Sequence, residues 1–149
     1  MPGVSGSWNE ADGAALRVWI GLSAKEVRRL RAAGSPIPQP IDVLALVDTG
    51  AQVTCVDPDV LARLPLDHYG FTHINVPAAG GLGYAVQYAA SLTIPHPSGR
   101  VADNFHKADL PLTEVPLGPF GCDILIGRDL LVLCAFRLDG PSLTFTLDY

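Results

Sequence analysis

The chain reads as a mainly β protein with one or two short helices, and three observations carry that expectation. Apolar runs of strand length recur along its 149 residues, among them Leu16 to Ile20, Val43 to Val47 and Ala90 to Ile94. Turn-forming residues separate them: 15 Gly and 13 Pro punctuate the chain too densely for long helices. With 48% apolar residues a chain of this length can bury one sizeable core, so residues 1–149 are expected to form one domain.

Taken in order, Leu16-Arg17-Val18-Trp19-Ile20 alternates as a strand should. Ser23-Ala24-Lys25-Glu26 has the pattern of a capping box and opens a helix through about Ala33, closed by Gly34 and Pro36. That helix carries Lys25, Arg28, Arg29 and Arg31, which is either a solvated face or a docking surface for an acidic partner. After the apolar strand Val43 to Val47, Asp57 caps a short helix from Pro58 to Leu64. Phe71 to Val76 and Ala90 to Ile94 are strands, the second ended by Pro95-His96-Pro97-Ser98-Gly99. Ala135 to Leu138 and Leu143 to Leu147 flank Asp139-Gly140-Pro141-Ser142, a hairpin signal with Leu143, Phe145 and Leu147 on one face. The last strand either completes its own sheet or pairs with another chain.

Several function classes are excluded by composition and spacing. A net charge of −5 argues against a nucleic-acid partner, because phosphate neutralisation needs a basic face. No segment approaches the roughly 20 apolar residues that span a bilayer, and Met1-Pro2-Gly3-Val4-Ser5 lacks the basic and apolar regions of a signal peptide. The expectation is a cytoplasmic protein with no membrane partner. Cys55, Cys122 and Cys134 are widely spaced in apolar surroundings and read as inert core thiols, and no zinc spacing is present. His68, His73, His96 and His106 form no constellation. No serine nucleophile, P-loop or dinucleotide fingerprint is found, so no metal or cofactor is expected.

What remains is a set of motifs. The apolar strand ending at Val47 delivers Asp48-Thr49-Gly50-Ala51, a carboxylate at the mouth of a buried strand. Further on, Asp123-Ile124-Leu125-Ile126 is another apolar strand, ending in Gly127-Arg128-Asp129 and running into a helix-like stretch. Between them lies a glycine-rich tip, Ala79-Gly80-Gly81-Leu82-Gly83, with strand-like arms on either side. Together these elements resemble a retropepsin, the single-lobe aspartic protease of retroviruses and of cellular and bacterial relatives, over about residues 40 to 138.

The resemblance implies a closed β-barrel with a flap hairpin, into which residues of about 23 to 40 form a helix-plus-loop insertion. It implies an aspartic endopeptidase whose catalytic residue is Asp48. The alternative is a silent peptide-binding or dimerisation module on the same fold. Pepsin-like enzymes resemble two such lobes in one chain. One D-[TS]-G loop here means that the second carboxylate comes from a second chain, and a C2 homodimer supplies it. Thr49 would donate across the two-fold axis, and Gly50 would let the backbone approach water and substrate. Ala51 stands where pepsin-like enzymes carry a serine that donates to the carboxylate. The dyad should therefore ionise less readily and act at mildly rather than strongly acidic pH. Ala79 to Gly83 would close over an extended peptide or protein substrate. Leu46, Gln52, Val53, Val76, Leu82 and Ile126 would line its apolar pockets. Gly127, Arg128 and Asp129 are expected to be architectural. In retroviral members the arginine bonds an aspartate four residues after the catalytic one. Here that position is Gln52, so Arg128 must find backbone carbonyls or Asp129 instead.

Overall fold

In the computed structural model, which describes residues 1–76 and 81–149, ten strands join one continuous sheet. β1 is Gly3–Asn9 and β2 is Gly13–Leu22, the latter with Val18 and Ile20 fully buried while Arg17 and Trp19 face out. This alternation is what lets β2 present one face to a core and the other to water. Helix α1 follows at Ala24–Ala32. Ser23 Oγ accepts from the Glu26 N–H at 3.2 Å, but the Glu26 carboxylate turns to Arg29 rather than back to the cap. Gly34, at φ +67°, ends the turn in a conformation that glycine adopts without strain.

β3 (Ile41–Val47) and β8 (Ile124–Ile126) lie side by side and parallel. Between them in sequence come β4 (Cys55–Val56), the Asp57-capped helix α2 (Pro58–Arg63), β5 (Asp67–Val76), β6 (Gly81–Ile94) and β7 (Phe105–Glu114). Helix α3 (Arg128–Leu131) and the hairpin β9 (Ala135–Asp139) and β10 (Thr144–Asp148) complete the chain.

β2 pairs with both β3 and β6, and this closes a ring in the order β2-β3-β8-β4-β7-β6. Closure satisfies backbone groups that an open sheet would leave at its edges. The mainly β class, the closed barrel and the short helices are therefore as expected. The ring is filled by Val18, Ile20, Val43, Ala45, Leu92, Leu112, Ile124, Ile126 and Leu130. A smaller cluster of Cys55, Val115, Leu117, Cys122 and Leu125 packs beside it. Each buried Leu or Ile contributes on the order of 1.5–3 kcal/mol, which makes the barrel the stable part on which loops can be positioned.

Some elements differ from expectation. β1 and β7 are strands beyond those expected: Gly and Ser dilute the first, while in the second Lys107, Asp109 and Pro111 alternate with Ala108, Leu110 and Leu112 and turn the two leucines inward. Leu143 does not share a face with Phe145 and Leu147. It sits in the turn at φ 53°, half exposed, and the strand register begins only at Thr144 opposite Asp139. β10 pairs with β1 on one side and β9 on the other, so the last strand completes a sheet of its own chain. Among the described residues no helix is long and apolar enough to cross a membrane.

Candidate active site

The parallel register of β3 and β8 places Val47 beside Ile126, so the loops that leave the two strands start at one level. The Asp48 N–H donates to the Ile126 carbonyl at 3.0 Å, which fixes where the acid enters its turn. Gly50 N–H then donates to Asp48 Oδ1 at 2.8 Å. A Cβ added at Gly50 would lie 3.1 Å from that same oxygen, so glycine keeps the approach open. Among the described residues this is the carboxylate's only hydrogen bond.

The element after β8 holds the loop from behind. Arg128 N–H donates to the Ala51 carbonyl at 2.9 Å, and Asp129 N–H to that of Gln52 at 3.3 Å. Gly127 is required by contact: a Cβ there would lie 2.5 Å from the carbonyl carbon and oxygen of Val53. The Asp129 carboxylate accepts from Thr54 N–H at 3.0 Å, from the Thr54 hydroxyl at 2.7 Å and from Leu130 N–H at 2.9 Å. Thr54 Oγ1 in turn accepts from Gly127 N–H at 3.2 Å. The Arg128 guanidinium reaches forward, its Nη1 donating to the carbonyls of Thr49 at 3.1 Å and Gly50 at 3.4 Å. Backbone carbonyls are thus its partners, and Asp129 is committed to Thr54.

Asp48 opens onto a groove of about 490 Å³. One wall is the loop itself, with Gly50, Ala51, Gln52, Val53 and Arg128. Thr72, His73 and Ile74 of β5 form the facing wall, and Cys55, Leu125, Val115, Leu117 and Phe120 give the remainder an apolar character. Thr49 stands exposed beside the acid.

Of the pocket residues expected from sequence, Gln52 and Val53 face the groove. Ile126 does not, being fully buried in the barrel core, and Leu46 packs on the smaller cluster, its side chain close to Gly13. Alternation is the reason: on β8 the neighbours Leu125 and Ile126 point to opposite faces, and the register turns Leu125 toward the groove. Val76 pairs with Gly81 and Asn75 with Leu82, so the arms of the expected flap form an antiparallel hairpin with Gly83 opposite Ile74. Gly81 adopts φ +104°, which suits glycine. Ala79 and Gly80, and the side chains of Val76 and Leu82, lie outside what is described.

Sequence reasoning missed Val115, Leu117 and Phe120, which reach the groove from the connection between β7 and β8. Phe120 sits in Gly118-Pro119-Phe120-Gly121, a turn whose signal was present but whose destination was not. His73, expected to be merely solvated, lines the groove with its ring 4.4 Å from that of Tyr84, centroid to centroid. Cys55 also lines it, yet burial pushes its thiol up to about 11, and Asp129 and Asp48 add to that rise. A thiol held protonated is not a nucleophile. Among the described residues no group of three or more His, Cys, Asp or Glu is placed to hold a metal.

Among solved structures, the crystal structure of a retropepsin-like aspartic protease from Rickettsia conorii superposes with a TM-score of 0.58 at 13% identity, covering 99% of this chain and 90% of that one. The fold is retropepsin-like. No family profile and no curated protein sequence matches the chain. In this retropepsin-like barrel the loop bearing Asp48 and the turn bearing Gly127 leave neighbouring parallel strands, and the groove lies between that loop and the β5–β6 hairpin.

Proposed function

We propose that the protein is an aspartic endopeptidase acting as a homodimer, with Asp48 of each chain as the catalytic dyad. The observation that carries this reading is the position of Asp48: a half-buried carboxylate with a single hydrogen bond among the described residues, opening onto a peptide-sized groove. Asp48 is the sole acid among the described groove-lining residues, so a second carboxylate must come from a second copy, which two-fold symmetry would bring face to face with the first. Thr49, exposed beside it, is suited to bond across that axis.

Two facing carboxylates share one proton, as aspartic-protease dyads do, because both cannot ionise side by side. The ionised member takes a proton from a water held between them while the protonated member donates to the scissile carbonyl oxygen. Collapse of the resulting diol passes a proton to the leaving amine and breaks the C–N bond, with no covalent enzyme intermediate. An extended substrate strand would lie between the loop and the β5 arm, held by main-chain hydrogen bonds. The hairpin around Gly81 would act as a flap that closes over it. Val53, Ile74, Leu125 and Phe120 favour apolar side chains near the cleaved bond.

The test is digestion of a proteome-derived peptide mixture from about pH 4 to 7 at two protein concentrations, with Asp48→Asn alongside. Cuts between apolar residues that vanish in the variant, and that fall off more than linearly on dilution, support the dimeric protease. Peptides bound but never cut by either protein would point to the silent module.

A further inference from the structure

Arg128 is exposed at the edge of the groove and carries more donor capacity than the chain uses. Its Nη1 serves two backbone carbonyls, whereas its Nε and Nη2 have no hydrogen-bond partner among the described residues. No carboxylate pairs with it among the described ion pairs, and the undescribed segment Pro77 to Gly80 contains no acid that could. Asp129, its neighbour, is turned inward onto Thr54. Gln52, held beside the first turn of α3 through its carbonyl, is neutral and exposed on the same wall. The groove therefore ends in a guanidinium with an open fork, and a guanidinium fork matches the two oxygens of a carboxylate.

On the reading that extended peptides occupy this groove, we infer that Arg128 selects an acidic side chain at one fixed position of the bound peptide, offset from the apolar residues at its centre. Arg128 bonds the carbonyls of Thr49 and Gly50, the two residues that follow Asp48, so the position it reads flanks the scissile bond. The selection is positional rather than general. A chain of net charge −5 repels acidic peptides elsewhere, and one unneutralised arginine acts only within reach of its fork. Gln52 is what leaves that fork available: a carboxylate in its place would pair with Arg128 and close the subsite.

The experiment compares binding of matched peptides by the Asp48→Asn protein, where cleavage cannot interfere. The peptides share an apolar centre and differ in a single Glu or Gln moved through each flanking position. Glu should be preferred over Gln at one position by at least about threefold, and the preference should shrink as salt is raised. Gln52→Asp, which leaves the tie to the loop in place, should abolish the preference while apolar selection persists. Arg128→Gln should do the same if the loop survives its loss. Binding of Glu and Gln peptides alike at every position overturns the inference and leaves the protease reading intact. So does a preference that survives Gln52→Asp. Failure of every peptide to bind overturns both.

Discussion

Asp48 and Asp129 sit at the ends of the same pair of parallel strands, yet their carboxylates are employed in opposite ways. Asp129 accepts three hydrogen bonds, two from Thr54 and one from Leu130. Asp48 accepts one, from Gly50, and faces a groove. A carboxylate that serves several donors of its own chain stabilises a fold, because removing it strands them. One with a single such donor is free to hold water and exchange protons. Chemical type does not distinguish the two acids; the number of donors pointed at each does.

Substitution is the direct way to break the contrast. Asp48→Asn should lower peptide cleavage by at least about 10³-fold while leaving the melting temperature within a degree or two of wild type, measured by peptide digestion and thermal denaturation. A large loss of stability would mean that Asp48 is structural after all. Gly127→Ala should show the opposite pattern. The added methyl meets the Val53 backbone at 2.5 Å, and backbone cannot yield as a side chain can, so a loss of about 3 kcal/mol or outright failure to fold is expected in denaturant titration. Asp129→Ala comes next, at about 2–4 kcal/mol, since it strands the Thr54 N–H and hydroxyl together. If Asp129→Ala proved as stable as wild type, the division of labour between the two acids would not hold.

A second, milder contrast lies in the pH response of groups remote from the groove. Glu26 is held down to about 2, chiefly by its bond to Arg29 and then by Asp67, which in turn keeps its own proton to higher pH. A depressed carboxylate contributes stability above its ordinary value of 4.5 and loses it as pH falls toward 2. The raised Asp67 contributes in the reverse sense, but Glu26 has the larger shift and sets the sign. Melting temperature should therefore fall between those limits, and Glu26→Gln should flatten that limb. The smallest effect concerns the thiols. Burial pushes Cys55 and Cys122 up to about 11. At about pH 8.5 their alkylation in the folded protein should be about a hundredfold slower than in denaturant. Rapid labelling of Cys55 in the folded state would mean that the groove opens more widely than its packing allows.

Much of this is legible in the sequence. Asp48-Thr49-Gly50-Ala51 after an apolar strand, and Gly127-Arg128-Asp129 after another, are local patterns, and a loop's chemistry is written in its own residues. The same holds for Ser23 and Asp57 as helix caps, since a cap needs only the side chain and the next few N–H groups. The groove was less legible. A strand's two faces are indistinguishable until its neighbours are known, which is why Ile126 was expected where Leu125 stands.

The amino-acid sequence by itself determined that the chain is mainly β, that an acid ends its central apolar strand, and that Gly127 follows the strand beside it. Tertiary structure alone decided that β2 would pair with both β3 and β6 to close the barrel. It also decided that Arg128 would bond backbone carbonyls, and that Phe120 would reach the same groove as Asp48. The physical reason is range. Caps, turns and alternation act over a few residues, whereas closure, partner choice and groove lining depend on contacts between segments that the chain must bring together from far apart.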